Sequence, residues 1–499
     1  MAKKFYITTP LYYVNASPHI GHSYTTIAAD CLARYMRKRL GNENVWLLTG
    51  TDEHGQKIKR AADAEKLEPQ TFADKTVVKF KNLWQELGIS YNDFIRTTEI
   101  RHTLAVQRVL EILYKKGDIY EARYVGWYCI PCETFWTELQ LIEKLCPDCK
   151  RPVEKISETN YFFKLLKYQD WLIKHIKSHP DFIKPQVRHN EVLSFLELNE
   201  LTDLCISRPK ERLEWGIPLP FSLAHVTYVW FDALINYISA VGEFDSKDKY
   251  KSRWWPADLH LIGKDILRQH AIYWPIMLRA LDIEPPKTIF AHGWWLIGES
   301  KMSKSVGNVV SPLDMKNKFG VDTYRYFLLR DVPFGLDGNF SEESIIKRFN
   351  SDLANDLGNL VFRTLTMVEK YFEGNIPDRG KLDEEAQRID KKIKALEKEI
   401  AFAMAIPNFS LALENIWNLI SMANKYVEQA KPWNLAKENK KEELKTFIRL
   451  LVDTIREVAA EIYPFMPETA DSIIEQFGKD KIKKGKPLFP RIDIKNPNF

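Results

Sequence analysis

The chain has 499 residues, with 45% hydrophobic and 28% charged side chains and a formal net charge of +5. That length exceeds one ordinary domain and suits three or so, with enough apolar content for real cores. The mild positive excess permits a polyanionic partner without requiring one. No apolar leader precedes the first strand and no uninterrupted apolar run is long enough to span a bilayer, so a cytoplasmic location is expected.

Residues 1–115 alternate apolar strands with amphipathic helices, the pattern of a parallel, doubly wound sheet. A first strand is predicted at Lys4–Thr9 and a helix over Ile27–Leu40, with Pro18-His19-Ile20-Gly21-His22 at the helix entrance between them. A helix N-terminus favours anions; Gly21 lets a base or phosphate approach the backbone, and His19 and His22 supply hydrogen-bond donors. A second strand, Val45–Thr49, runs into the polar turn Gly50-Thr51-Asp52-Glu53-His54-Gly55. Such turns at the carboxyl edge of a parallel sheet are where these folds bind ligands.

Residues 116–225 break the pattern and read as an insertion that splits the sheet in sequence. Within about 126–160, Cys129-Ile-Pro-Cys132 and Cys146-Pro-Asp-Cys149 lie 13 residues apart. Two chelating pairs of thiolates fill a tetrahedral coordination sphere, so one structural zinc ion with no open position is expected. Cys31 and Cys205 have no such spacing and read as buried apolar residues.

Strand and helix alternation resumes over 226–295, with strands predicted at Tyr228–Asp232 and Asp258–Ile262. Gly263-Lys264-Asp265 ends the second of these. Residues 296–350 contain Lys301-Met302-Ser303-Lys304-Ser305, a basic loop far downstream of the histidine motif. From 351 to 466 the period is helical, punctuated by Pro407 and Pro432 and closed by Pro464, and 467–499 reads as a tail carrying the basic run Lys479–Lys486. The expected architecture is thus an α/β Rossmann-type parallel sheet split by a zinc-knuckle insertion and followed by an all-α bundle.

The histidine and lysine motifs, in this order, are those that define the class I aminoacyl-tRNA synthetases, and from about Lys4 to about Pro467 the chain resembles the methionyl-tRNA synthetases. The resemblance implies a methionine–tRNA ligase that makes methionyl-adenylate from methionine and ATP, with Mg2+ accompanying the nucleotide, and then acylates the 2′ hydroxyl of the terminal adenosine of tRNA(Met), initiator and elongator alike. His19, Gly21, His22, Gly263, Asp265, Lys301, Ser303 and Lys304 are then the ATP contacts. His19, His22, Lys301 and Lys304 act on phosphate charge, by electrostatics and positioning rather than proton transfer. Leu11, Tyr13, Trp230, Ala233, Leu234, Tyr237, Ile266 and His270 line the methionine pocket, and Asp52 takes the ammonium. Asn359, Arg363 and Trp433 match the readers of the CAU anticodon, an amide, a guanidinium and an indole suited to an unpaired base. A monomer, or a chain that recruits a separate tRNA-binding module in trans, is expected.

Three alternatives stay open on the sequence: another class I synthetase, a non-catalytic RNA-binding derivative and a plain nucleotidylyltransferase. Valyl, isoleucyl and leucyl enzymes share both motifs, but 278 residues between His22 and Lys301 leave little room for their hydrolytic insertion. A cysteinyl enzyme needs an open zinc position that four cysteines deny. A non-catalytic RNA-binding derivative and a plain nucleotidylyltransferase are separated from the main reading by ATP–pyrophosphate exchange and by tRNA charging.

Overall fold

The computed structural model describes residues 3–129, 134–136, 138, 141–147, 149–297, 300–301 and 310–493. Two compact units emerge: one comprises the chain up to Pro18 with Met36–Gln85 and Ile89–His292, the other His19–Tyr35, Glu86–Gly88 and Gly293 onward.

A six-stranded parallel sheet organises the first unit. Its strands are β1 (Phe5–Tyr13), β2 (Val45–Asp52), β3 (Asp93–Arg96), β4 (Ile183–Lys184), β5 (Leu259–Gly263) and β6 (Ile289–His292), in the order β3-β2-β1-β5-β6-β4. The strands are apolar on both faces, as a sheet covered on both sides requires. The reversal of order beside β1 puts the carboxyl ends of β1, β2 and β5 at the crevice where doubly wound sheets bind ligands. The register of β1 against β2 slips between Thr8 and Leu11. Pro10 lies in that interval and has no N–H to give the ladder, so the strand bulges there and resumes with Leu11 opposite Gly50 and Tyr13 opposite Asp52. Gly50 is required: a Cβ would lie 2.0 Å from the carbonyl oxygen of Ile95 and 2.8 Å from Cδ2 of Leu11.

The segment read as an insertion is mostly antiparallel. Ile119–Cys129 pairs along its length with Glu154–Phe163, and Thr134–Trp136 adds to its far end. It is not wholly separate from the sheet, since β4 falls inside it and pairs with β6. A second departure concerns Tyr228–Asp232, expected as a strand. Residues Val229–Leu234 form a helix instead, entered from extended Tyr228, whose carbonyl accepts the Asp232 N–H. Short aromatic runs suit either state, and the polar partners waiting for Asp232 decide this one.

In the second unit the period read as helical over 351–466 is mostly helix, broken by a non-helical stretch over 373–383, and Pro407, Pro432 and Pro464 fall at helix boundaries. The expected tail begins with a further helix, Pro467–Gln476. Its basic run is laced down: Ile376 and Ile482 N–H groups donate to Asp480 and Gly374 carbonyls, and Asn350 exchanges two hydrogen bonds with the backbone of Ile492.

Candidate active site

The first motif opens helix α1 (Ile20–Leu40), in the second unit. Its two imidazoles stack at 3.8 Å between centroids. Nδ1 of His19 accepts the Gly21 N–H at 3.1 Å, and Nδ1 of His22 accepts the His19 N–H at 3.2 Å. Each ring commits Nδ1 as an acceptor, which fixes the tautomer and leaves Nε2–H as the donor. Gly21 makes this turn possible, because a Cβ there would lie 2.9 Å from Cε1 of His19. The helix start is also tied to the second motif: the Ile20 N–H donates to the carbonyl of Val310, the first described residue after that loop, at 3.3 Å. Within the motif, the backbone of Lys301 pairs with Leu296; Ser303 and Lys304 lie outside the described residues.

The residues expected to hold the amino acid lie in the first unit and are brought together there. Leu11 and Tyr13 end β1 and Asp52 ends β2, side by side in register. The Tyr13 hydroxyl donates to the His54 carbonyl at 2.8 Å. Helix α2 (Ile100–Lys115) and helix α3 (Val229–Leu234) flank the turn, and α3 carries Trp230, Ala233 and Leu234. Tyr237 and His270 form one unit: the Tyr237 hydroxyl lies 2.7 Å from Nε2 of His270, whose Nδ1 lies 2.9 Å from the Ile266 carbonyl. A carbonyl can only accept, so Nδ1 carries the proton and Nε2 accepts from the phenol. At the carboxyl end of β5, Gly263 leads into an exposed Asp265, five residues before His270.

Burial lowers the His270 pKa to about 4, keeping the ring neutral at working pH. The sign of the resulting pH dependence follows from linkage: a ring held neutral in the folded state costs nothing above pH 6.5, its ordinary value, and destabilises progressively as pH falls towards 4. By about pH 5 this ring should subtract on the order of 2 kcal/mol from the unfolding free energy. Urea titrations at about pH 7 and about pH 5 should therefore show a smaller loss in His270→Gln than in the parent chain; equal losses would remove His270 as a source.

Sequence reading missed a set of buried polar side chains behind the turn. Glu53 accepts a bidentate pair from Arg96 at 2.7 and 2.9 Å and single bonds from the hydroxyls of Thr51 and Thr98. Asp232 bridges Nδ1 of His54 and Nε2 of His102, both at 2.7 Å. Burial alone would raise the Asp232 pKa, but the two imidazoles outweigh it and hold the carboxyl below its ordinary value. Arg208, also buried, stands over the rings of Tyr128 and Tyr228. The one available signal was an aspartate inside an apolar aromatic run, a buried charge that must find a partner.

At the knuckle, the sulfur atoms of Cys129, Cys146 and Cys149 lie within 4.8 Å of one another, with Cys129 and Cys149 at 3.5 Å. Tetrahedral zinc with thiolates at about 2.3 Å separates its sulfurs by about 3.8 Å, so this donor set fits the ion. Cys132 falls outside the described residues. Cys31 and Cys205 are buried in the core.

In the helical unit, Asn359 begins helix α4 (Asn359–Phe372) and is exposed, and Arg363 one turn on pairs with Glu428 at 2.6 Å. Glu428 lies near the end of helix α5 (Phe409–Ala430), and five residues beyond it Trp433 opens helix α6 (Pro432–Lys437). The Trp433 indole is 41% exposed, which argues against a packing anchor.

Comparison with known proteins sets these geometries in a family. The family described as tRNA synthetases class I (M) matches residues 5–156 and 150–365, and the anticodon binding domain of methionyl tRNA ligase matches residues 376–488. Sheet, histidine motif and helical unit are those of a class I aminoacyl-tRNA synthetase. The methionine–tRNA ligase of Clostridium acetobutylicum is 51% identical over 99% of this chain and 79% of its own length, and that of Thermotoga maritima is 45% identical over 99% and 81%. Mycobacterium tuberculosis methionyl-tRNA synthetase, solved in complex with methionyl-adenylate, has a TM-score of 0.92 at 40% identity, covering 98% of this chain and 100% of that one. The chain belongs to the methionyl-tRNA synthetase family.

Proposed function

We propose that the chain joins methionine to tRNA(Met) in two steps, with the following division of labour. Asp52 holds the ammonium, and Leu11, Tyr13, Trp230, Ala233, Leu234, Tyr237, Ile266 and His270 enclose the thioether. The carboxylate so placed attacks the α-phosphorus of ATP, the bond to pyrophosphate breaks, and methionyl-adenylate forms. The charge gathering on the phosphates is met by the Nε2–H donors of His19 and His22, by the backbone beside Gly21, and by Lys301, Ser303 and Lys304. Gly263 and Asp265 hold the nucleoside. In the second step the 2′ hydroxyl of the terminal adenosine attacks the methionyl carbonyl and AMP departs. Asn359, Arg363 and Trp433 read the anticodon of initiator and elongator tRNA. Mg2+ accompanying ATP would supply further neutralisation of phosphate charge.

The observation that carries this reading is the commitment of both motif imidazoles to backbone N–H groups through Nδ1, which fixes Nε2 as the donor nitrogen of each ring at a helix N-terminus, where an anion is favoured. ATP–pyrophosphate exchange measured across the twenty amino acids, followed by charging of tRNA, tests it. Exchange should depend on methionine and charging on tRNA(Met); exchange with another amino acid in preference would overturn the substrate assignment.

The knuckle is assigned a structural zinc held by Cys129, Cys132, Cys146 and Cys149. Such an ion crosslinks a segment too small to fold on apolar burial alone. Elemental analysis should find one zinc per chain, and Cys146→Ser should make residues 126–160 protease-sensitive while leaving the parallel sheet's melting transition in place. A metal-free preparation with an intact knuckle would refute the assignment.

A further inference from the structure

Among the described buried acids of the first unit, Asp232 alone bridges two imidazoles. One oxygen takes the Nδ1 proton of His54, two residues after Asp52; the other takes the Nε2 proton of His102 on α2. The backbone of Asp232 lies in α3, directly before Ala233 and two residues after Trp230. His54 extends the chain of bonds further, since its carbonyl accepts the Tyr13 hydroxyl, and Nδ1 of His102 reaches the Ser239 hydroxyl at 2.9 Å. Asp232 and His102 are fully buried and His54 nearly so.

Burying a carboxylate with two imidazoles is a poor way to gain stability, because desolvation offsets much of the attraction and an apolar trio of similar volume would do as well. What the arrangement supplies instead is direction. Each bond is charge-assisted, and three elements distant in sequence are fixed to one group with both oxygens used. The ends of the network lie on or beside elements assigned to the amino acid: the turn after β2, the end of β1, the helix carrying Trp230, Ala233 and Leu234, and, through His102, Ser239 two residues after Tyr237.

We infer that Asp232 is a positioning residue for methionine, clamping the turn that bears the ammonium-binding Asp52 to the helix that bears the thioether pocket, so that amine and side chain are recognised at a fixed separation. The inference rests on the pocket assignment above. Asp232 does not touch substrate in this reading; it acts through His54 and through its own helix. Errors of about 1 Å in such a separation cost up to about a hundredfold in efficiency.

The test is Asp232→Asn, which keeps the shape but removes the charge that both imidazoles donate to and offers one acceptor and one donor in its place, so one bond is lost or its imidazole must change tautomer, and the clamp weakens either way. In ATP–pyrophosphate exchange the KM for methionine should rise about tenfold or more while the KM for ATP stays within about twofold, on the scale of one lost hydrogen bond to a charged group. The preference for methionine over ethionine, one methylene longer, should fall as well, because a loosened wall rejects the extra carbon less well. His102→Gln, which keeps an N–H within reach of Asp232, should restore a near-parental KM, and His102→Leu should resemble Asp232→Asn. A role confined to stability predicts something else: a lower melting temperature and fewer active sites by single-turnover count, with the KM and the preference of the surviving enzyme unchanged. That result, or equal methionine KM values in the two His102 variants, would overturn the inference. Asp52→Asn is run alongside. If it too leaves the methionine KM unchanged, the pocket assignment has failed; if it raises the KM while Asp232→Asn does not, only the clamp has failed.

Discussion

His22→Ala is expected to slow methionine-dependent ATP–pyrophosphate exchange by about two to three orders of magnitude, the usual cost of deleting one preorganised donor at a centre of developing charge. The loss should fall on kcat, with the KM for methionine little changed, because the proposed amino-acid contacts are groups of the β1 and β2 ends. The ring does two jobs that substitution can separate. Its Nδ1 accepts the His19 N–H and its face stacks on His19, while Nε2 is the donor nitrogen. His22→Gln places an amide N–H near the position of Nε2 without the stack, so it should recover part of the loss. If alanine left kcat at the parental level, phosphate stabilisation would have to be reassigned to the lysine loop alone.

Trp433→Ala should reduce charging of tRNA(Met) by roughly one to two decades in kcat/KM, the equivalent of about 1 to 3 kcal/mol for a lost base stack. Exchange should be untouched, since adenylate formation needs no tRNA. The indole's exposure makes the variant clean: an exposed side chain leaves no cavity when truncated, so the melting temperature should hold. Arg363 should behave differently from a free surface arginine, because Glu428 already restrains it at 2.6 Å. Charging at the parental level by Trp433→Ala would end the anticodon assignment for this residue.

What the sequence displayed and what it hid follow one physical division. The histidine motif at a helix entrance, the paired cysteines, the Gly-bounded turn after β2 and the prolines between helices all announce themselves locally, because each is a short-range constraint on backbone or chelation. The Asp232 clamp joins residues 178 and 130 positions apart, and no local period encodes such a partner. The same distance explains the misread segment at Tyr228–Asp232: its aromatic composition suits a strand, and only the two histidines from elsewhere in the chain make a helix with an inward aspartate the better solution. Tautomers are hidden for a related reason. That His19 and His22 are both histidines is plain from the sequence, but which nitrogen donates depends on where the Gly21 and His19 amides point.

Strand β4 bears on how this protein can be taken apart. Because Ile183–Lys184 closes the row of parallel strands beside β6 yet lies within the stretch between the sheet's two halves, that stretch cannot be lifted out whole. A minimised catalytic core would have to keep the 180s, and with them the base of the hairpin upstream, because Ile119, Tyr161 and Phe163 are buried in one core with Tyr6, Leu48 and Ile95. Excision of all of 116–225 would strip β6 of its neighbour and leave the backbone of Ile289 and Phe290 as a raw margin, open to pairing with another molecule. The connection between the two halves of the sheet is thus itself structural, through β4 at the edge and through the core beneath the hairpin.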